Sequence, residues 1–377
     1  MRATVLNDPA LAKHAGRFAW LSINAEESRN ADFVDHLGVD GYPTFVVLDG
    51  ATGKVLLRWA GSLTIPEFEG LLDDGERAVR ASNGSPANAA LARADRLGAE
   101  GKPAEAAAAY TYTLHIAPAA WAGRGRALGS LLAALQKSGD VEQCAAVARR
   151  ETHALERGPA FAGASAAGLQ CAIDAPESAP WRSAAIKELE ALVVESLPLD
   201  NVLADDRSSA YGMLVDLREA RGDKAGAKEL AGRWLTFLES QAAAAGSIEA
   251  RAAFDSHRVG AALALGDPAR AVPALLASER DLPDDYNPPA RLAILYREMG
   301  RFDDALAASG RALDRAYGAR KVRVFDTRAD IYMKMGDRAA ARRTLEEALT
   351  YADTLPRSQQ PWAFMAQMRT KAAAIGS

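Results

Sequence analysis

The spacing of apolar and polar positions along this chain changes near residue 85. Before that point, short apolar runs typical of buried strands alternate with helical spacing. The predicted strands are residues 17–24, 44–49 and 54–59, and the predicted helices are residues 28–37 and a segment that begins at Pro66. After a polar linker, the pattern is helical almost throughout. The sequence therefore predicts an α+β multi-domain protein, with a mixed domain over residues 1–80, a linker at 81–86 and an all-α region over 87–377.

A glycine followed by a polar residue recurs between the predicted helices. These turn glycines are Gly101, Gly139, Gly222, Gly266, Gly300 and Gly336. The gaps between them are 38, 83, 44, 34 and 36 residues, so a helical repeat in the mid-thirties is expected. Because the 83-residue gap is about twice the others, one unit between residues 140 and 222 is predicted to have lost its turn glycine.

A small residue stands five positions after most of these glycines, where two antiparallel helices would cross closely. Its occurrences are Ala106, Ala227, Ala271, Ala305 and Ala341. Pro118 and Pro283, each 17 residues after a turn glycine, are expected to end the second helix of their pairs. This pattern resembles the tetratricopeptide repeat (TPR), best over residues 288–353, and six or seven helical pairs are expected.

A solenoid of such pairs has a concave face that holds a protein or peptide partner. The polar residues that would contact this partner lie on the first helix of each pair. The candidates are Arg291, Arg297, Arg328 and Lys334. A last helix over residues 360–374 has Trp362, Met365 and Met368 on one face, which is predicted to cap the solenoid.

The run from Gly41 to Asp49, followed by Gly53 and Gly61, resembles the second half of a thioredoxin fold. The run Thr4-Val5-Leu6-Asn7-Asp8-Pro9 is similar to the end of that family's active-site helix. The resemblance implies that Pro43 follows a cis peptide bond and that Tyr42, Pro43 and Thr44 contact a substrate peptide. Its Cys-x-x-Cys segment, however, would lie before Met1.

The missing dithiol leaves two interpretations open. Without an attacking and a resolving sulfur there is no thiol–disulfide exchange, so the chain as given has no predicted catalytic residue. Either Met1 is an internal methionine of a longer oxidoreductase, or the domain serves for docking alone. Cys144 and Cys171 lie far away in the helical region, and they are predicted to be buried apolar groups rather than a disulfide.

Composition narrows the function classes further. The formal net charge of −4 argues against a nucleic-acid binder, and no apolar run is long enough to span a membrane. Five scattered histidines and several Asp-Asp pairs at turns show no metal-ligand spacing, so no metal and no cofactor are expected. As written, the chain has no signal peptide and is expected to be cytoplasmic, or periplasmic if a signal peptide precedes it.

The resulting hypothesis is a non-catalytic protein–protein interaction scaffold that combines a thioredoxin-like segment with a TPR solenoid. The alternative hypothesis is a thiol–disulfide oxidoreductase whose Cys-x-x-Cys segment lies upstream of this chain's start.

Overall fold

The computed structural model describes residues 5–39, 42–79 and 85–376. Two strands and two α-helices precede the repeats: α1 Ala31–His36, β1 Thr44–Leu48, β2 Val55–Ala60 and α2 Ile65–Val79. The helices that follow are α3 Pro86–Ala99, α4 Pro103–Ile116, α5 Arg124–Ser138, α6 Val141–Glu151, α7 Pro159–Asp174, α8 Arg182–Ser196, α9 Ala204–Ala220, α10 Lys224–Ala243, α11 Ile248–Ala252, α12 Asp255–Leu265, α13 Val272–Asp281, α14 Asn287–Glu298, α15 Phe302–Arg315, α16 Gly318–Met335, α17 Arg338–Asp353 and α18 Trp362–Gly376.

The chain divides into two compact units, each made of two stretches of the sequence. The first unit consists of Met1–Phe18 and Leu37–Tyr211, and the second of Ala19–His36 and Gly212–Ser377. Of the predicted linker, residues 81–84 lie outside the described residues, while Ser85 caps α3 by accepting a hydrogen bond from the Asn88 amide. The division of the chain at residues 81–86 stays a prediction.

The predicted hairpin is present in the first unit. β1 and β2 pair antiparallel with Phe45 opposite Trp59 and Val47 opposite Leu57. In the turn, the Asp49 carboxylate accepts hydrogen bonds from two backbone amides, and the bond from Thr52 lowers its pKa. These contacts fix the turn, as expected for an aspartate at a turn position.

An apolar core joins the hairpin to α2. Its buried members are Val47, Leu57, Leu63, Phe68, Leu71 and Leu72, and Ala92 of α3 packs against them. The helix α2 begins with a capping box, because the Glu67 carboxylate accepts from the Thr64 amide and hydroxyl. The helix predicted from Pro66 onward is thus confirmed, with its predicted apolar face buried.

A buried ion pair fastens this hairpin to the first repeats. Arg126 of α5 pairs with Asp95 of α3, which is fully buried and accepts a second hydrogen bond from the Tyr110 hydroxyl at 2.8 Å. Arg126 also donates to the Arg58 carbonyl of β2 at 3.3 Å. Burial raises the pKa of Asp95, against the opposing effect of the Arg126 charge.

The prediction of a strand at residues 17–24 is wrong. Among the described residues the sheet has two strands, so a larger thioredoxin-like sheet is not seen there. Residues 19–24 form neither a helix nor a strand, and they belong to the second unit, whereas the hairpin belongs to the first. A strand needs a partner for its backbone groups, and the sequence pattern alone does not supply one. The predicted helix at 28–37 is present as a 3₁₀ turn, Ser28–Asn30, followed by α1.

The predicted helical repeats are confirmed. All six turn glycines have positive φ, between 72° and 84°. In Gly139-Asp140 and Gly336-Asp337 the glycine ends one helix in the left-handed conformation, and the aspartate accepts a hydrogen bond at the start of the next. The glycine therefore ends one helix and the aspartate caps the next, which explains why the pair recurs.

The predicted close crossings are also confirmed. Each alanine five positions after a turn glycine is 0–1% exposed: Ala106, Ala227, Ala271, Ala305 and Ala341. The long gap in the repeat contains the pair α7 and α8, which the segment Ala175–Trp181 joins without a glycine. Pro118 and Pro283 follow the ends of α4 and α13, as predicted.

The prediction that the two cysteines remain unpaired is wrong. Cys144 of α6 and Cys171 of α7 form a disulfide, and both are fully buried. A Cβ on Gly168 of α7 would overlap the Ala148 Cβ of α6, so these helices approach closely. That approach brings the two Cα atoms to 6.0 Å, a distance that the 27-residue separation in sequence does not reveal.

The last helix has the predicted position and one misassigned residue. Met365 and Met368 are 0% and 1% exposed and pack against α16 and α17 in one apolar cluster. Trp362, expected on the same face, is 51% exposed and donates its indole N–H to the Arg357 carbonyl. It is the first residue of the helix.

Candidate functional site

An open pocket of about 340 Å³ lies between α14 and α16, the first helices of two successive pairs. Its lining residues are Arg297, Glu298, Asp330, Met333 and Lys334. Two of the four predicted contact residues, Arg297 and Lys334, therefore meet in one pocket. The described residues that line it include no serine, threonine, cysteine or histidine.

The charges of the pocket are largely balanced within it. Arg297 donates to the Glu298 carboxylate at 2.8 Å and to the Asp330 carboxylate at 3.3 Å. Its side chain is only 18% exposed, so it is a fixed part of the wall. Lys334 is different, because its ammonium lies 3.9 Å from Glu298 and its side chain is 59% exposed. Lys334 is thus more accessible to an acidic ligand than Arg297, and binding such a ligand disrupts only its long ion pair with Glu298.

A lysine from the last helix extends this network. Lys371 of α18 lies 2.6 Å from both Asp326 and Asp330 of α16. Burial works to lower its pKa, but its hydrogen bonds to the two carboxylates prevail and raise it. Asp330 therefore links α14 to α18, and it holds Arg297 and Lys371 in place.

Sequence reasoning missed the acidic members and Met333, although the repeat contains a signal for them. Arg297 and Met333 each stand three residues before their turn glycines, and Glu298 and Lys334 each stand two before. Equivalent positions of successive repeats lie side by side on the first helices. Aligning these positions brings together four of the five lining residues, while Asp330 lies one helical turn earlier on α16.

The other two predicted contact residues lie elsewhere. The Arg328 guanidinium donates to the Leu306 carbonyl and the Ser309 hydroxyl, both at 2.8 Å, and thereby joins α16 to α15. Arg291 is half-buried at the start of α14, where burial lowers its pKa against the opposing charges of Asp255 and Asp285. Neither residue lines the pocket.

The predicted peptide-contact segment starts the hairpin of the first unit. The Tyr42–Pro43 peptide bond is cis, as expected, and Tyr42 is 61% exposed. Thr44 pairs with Ala60 at the start of β1. Trp59 donates its indole N–H to the Ser62 carbonyl and lies against Arg126 of α5.

Among the described residues, no three His, Cys, Asp or Glu side chains come together as a metal site would require. In the same ranges, no helix combines the length and the apolar character that crossing a membrane demands.

Comparison with known proteins gives structural matches alone. No protein-family model matches the chain, and no curated protein matches it. The chain is similar in structure to a tetratricopeptide repeat protein from Parabacteroides merdae ATCC 43184, with 11% identity, a TM-score of 0.47, and coverage of 77% of this chain and 100% of that one.

Two other solved structures match with lower scores. One is a thermophilic TPR protein from Thermus thermophilus, with 16% identity, a TM-score of 0.27, and coverage of 77% of this chain and 98% of that one. The other is the complex of the TPR2AB domain of yeast Sti1 with pHSP90, with 16% identity, a TM-score of 0.28, and coverage of 77% of this chain and 100% of that one. The proteins to which this chain is similar are thus TPR proteins of low sequence identity.

Proposed function

We propose that this protein is a non-catalytic interaction scaffold whose TPR-like helices bind a protein partner through an acidic peptide segment. The binding site is the pocket between α14 and α16. Successive first helices place equivalent positions side by side, so an extended peptide can cross them. The observation that supports this function best is the exposed Lys334 ammonium, which is only weakly held by Glu298 and lies beside the exposed thioether of Met333.

The oxidoreductase alternative is not favoured. The chain has two cysteines, and both sulfurs are joined to each other in a fully buried disulfide. Thiol–disulfide exchange needs an accessible thiolate. We therefore expect the 377-residue chain to show no turnover in an insulin-reduction assay.

The test of the binding site uses a set of twelve-residue peptides of acidic, neutral and basic composition. Binding to the full chain is measured by fluorescence anisotropy. We expect the acidic peptides to bind and Lys334→Glu to weaken them at least tenfold, because a like charge then faces the ligand. The control is Arg342→Glu on α17, where an exposed arginine pairs with Glu346 one helical turn away.

The control should leave peptide binding unchanged. Equal loss in both variants would point to the overall charge of the protein instead of the pocket. Absence of binding by every acidic peptide would remove this site from consideration.

The hairpin offers a second proposed contact. Tyr42, Pro43 and Thr44 stay candidates for peptide contact because Tyr42 exposes most of its ring beside the first residue of β1. An extended peptide can contact such a position through its backbone and stack on the ring. Tyr42→Ala should weaken binding of the full-length partner while leaving the affinity of peptides for the α14–α16 pocket unchanged.

The disulfide supports a proposal about compartment. Buried disulfides persist in oxidising surroundings and are rare where thiol reductants are abundant. We therefore place this protein in an oxidising compartment rather than the cytoplasm. Alkylation of the endogenous protein with a maleimide reagent under denaturing conditions, without reductant, should leave Cys144 and Cys171 unlabelled. Labelling of both thiols would contradict this placement.

A further inference from the structure

A short segment far from the repeats in sequence is anchored on the last repeats of the second unit. The Asn24 side-chain amide donates to the Tyr317 hydroxyl at 2.9 Å. The Gln359 side-chain amide donates to two backbone carbonyls of the segment, Ala25 at 2.9 Å and Glu27 at 3.0 Å. The segment is thus recognised through both side chain and backbone, which is the way proteins bind short peptides.

A carboxylate lies at the centre of this contact. Glu26 forms an ion pair with Arg320, in the first turn of α16. Burial works to lower the pKa of Arg320, but hydrogen bonds to Glu26 and Tyr286 outweigh it and raise the pKa. Arg320 is therefore partly desolvated, and it lies beside Tyr286 where it can pair with an anion.

The backbone of α16 is shaped to admit the segment. Gly318, the first residue of α16, has φ +54°, and a Cβ there would lie 2.7 Å from the Glu26 carbonyl oxygen. A side chain at this position would displace the segment. The glycine thus serves both the helix start and the close approach of residue 26.

The flanks of the segment are poorly packed. Trp20, Leu21 and Ile23 are 51%, 73% and 42% exposed. Within the described ranges, residues 21–23 form no hydrogen bond. Residues 24–27 are half-buried, and the contacts described above that hold them on the repeats are polar. A partner segment that presents the same carboxylate and carbonyl groups can replace them.

We propose that the surface formed by Tyr286, Tyr317, Arg320 and Gln359 is a recognition site for an acidic segment of a partner with the pattern Asn-x-Glu. Residues 24–27 are its internal occupant. The carboxylate of the partner replaces Glu26 on Arg320, and its backbone carbonyls replace those that Gln359 holds. This site does not include the pocket lined by Arg297 and Lys334, so it goes beyond the proposed function and can fail separately from it.

Residues 24–27 compete with a partner for this site and thereby lower the apparent affinity of the partner. A tethered segment has an effective concentration of roughly millimolar. A free peptide therefore competes poorly until the occupant is released. Removing the two anchoring side chains of the occupant should uncover the site.

The experiment uses a fluorescent peptide with the sequence of residues 22–30, added to the full chain and followed by anisotropy. We expect at least tenfold tighter binding to Asn24→Ala/Glu26→Ala than to the wild type. Adding Arg320→Ala to that variant should abolish the gain, and a peptide with glutamine in place of the Glu26 carboxylate should bind at least tenfold more weakly. The matched control is Asp35→Ala on α1, which removes an exposed carboxylate outside residues 24–27 and should leave peptide binding as in the wild type.

Hydrogen exchange makes each outcome decisive. The amides of residues 24–27 should exchange faster in the double variant, and the helices α14–α17 should keep their protection. Faster exchange without peptide binding would show that the contact is structural and would overturn the proposal. Unchanged exchange would show that these side chains do not hold the segment, and equal binding with and without Arg320 would overturn the carboxylate's role.

Discussion

The hairpin at residues 44–60 and the segment at residues 19–36 are attached to the helices of their own units in contrasting ways. The hairpin shares an apolar core with α2 and α3, and the buried pair of Arg126 and Asp95 ties it further to α5. Residues 24–27 instead are half-buried and held by polar contacts, while three large apolar side chains beside them face solvent.

The comparison is between a segment that buried apolar side chains and a buried ion pair hold in place and one that polar contacts hold. Apolar area removed from water contributes about 25 cal/mol per Å², and a buried charge holds its partner because the unpaired charge is costly. Exposed ion pairs contribute about 0–1 kcal/mol, since water competes for both groups. The hairpin is therefore held mainly by burial, whereas the described contacts of residues 24–27 with the repeats are mainly polar.

The largest expected effect is loss of the buried ion pair. Arg126→Met should leave the Asp95 carboxylate buried and unpaired, which lowers the free energy of unfolding by about 3–5 kcal/mol. Urea denaturation followed by tryptophan fluorescence measures it. The control Arg93→Met changes an exposed arginine of the same helix as Asp95, α3, and should have little effect. A loss below about 1 kcal/mol for Arg126→Met would show that burial does not hold the hairpin.

The second effect concerns the covalent tie between α6 and α7 in the first unit. The disulfide closes a separation of 27 residues, for which chain entropy gives about 3.5 kcal/mol. Cys144→Ala/Cys171→Ala should lower the free energy of unfolding by that order, and amide exchange in these helices should rise. Reductant should destabilise the wild type and leave the double variant unchanged. An equal response of both proteins to reductant would contradict this interpretation.

The third effect concerns a buried carboxylate that lowers the stability of the folded protein when it is charged. Asp206, at the start of α9, has a pKa raised to about 6, chiefly by burial, against an ordinary value of 3.8. The folded state holds this proton more tightly, so the resulting stabilisation is complete below pH 3.8 and is lost as the pH rises through about 6.

Asp206→Asn should consequently raise the free energy of unfolding at neutral pH by roughly 3 kcal/mol, with the gain vanishing in acid. Denaturation across the pH range measures this difference. Glu177→Gln, which changes an exposed carboxylate, should show no such pH dependence. A gain that is the same at both ends of the range would refute the titration of Asp206.

The smallest effect tests the segment of the second unit. Gly318→Ala and Gly336→Ala both place a side chain at positive φ, but a Cβ meets the Glu26 carbonyl only at Gly318, while the space at Gly336 is open. The free energies of unfolding of the two variants should differ by about 1 kcal/mol, the contribution of a few polar contacts. Hydrogen exchange should quicken at residues 24–27 in Gly318→Ala alone. Equal exchange in both variants would mean that the contact contributes nothing.

The sequence by itself determined the helical repeat, its turns and the hairpin. A turn with positive φ favours glycine, a close helix crossing favours alanine, and a strand favours β-branched residues. Each of these features therefore depends on residues that are near one another in the sequence. The same local information placed Arg297 and Lys334 on the first helices of their pairs.

Only the tertiary structure decided which distant groups meet. The disulfide, the pair of Asp95 with Arg126, and the anchoring of residues 24–27 by Tyr317 and Gln359 join groups from 27 to more than 300 residues apart. Such pairings follow from how whole helices pack, and packing depends on the shapes of many side chains at once. For the same reason residues 17–24 have the pattern of a strand but form none, because a strand exists only where a neighbour supplies its hydrogen bonds.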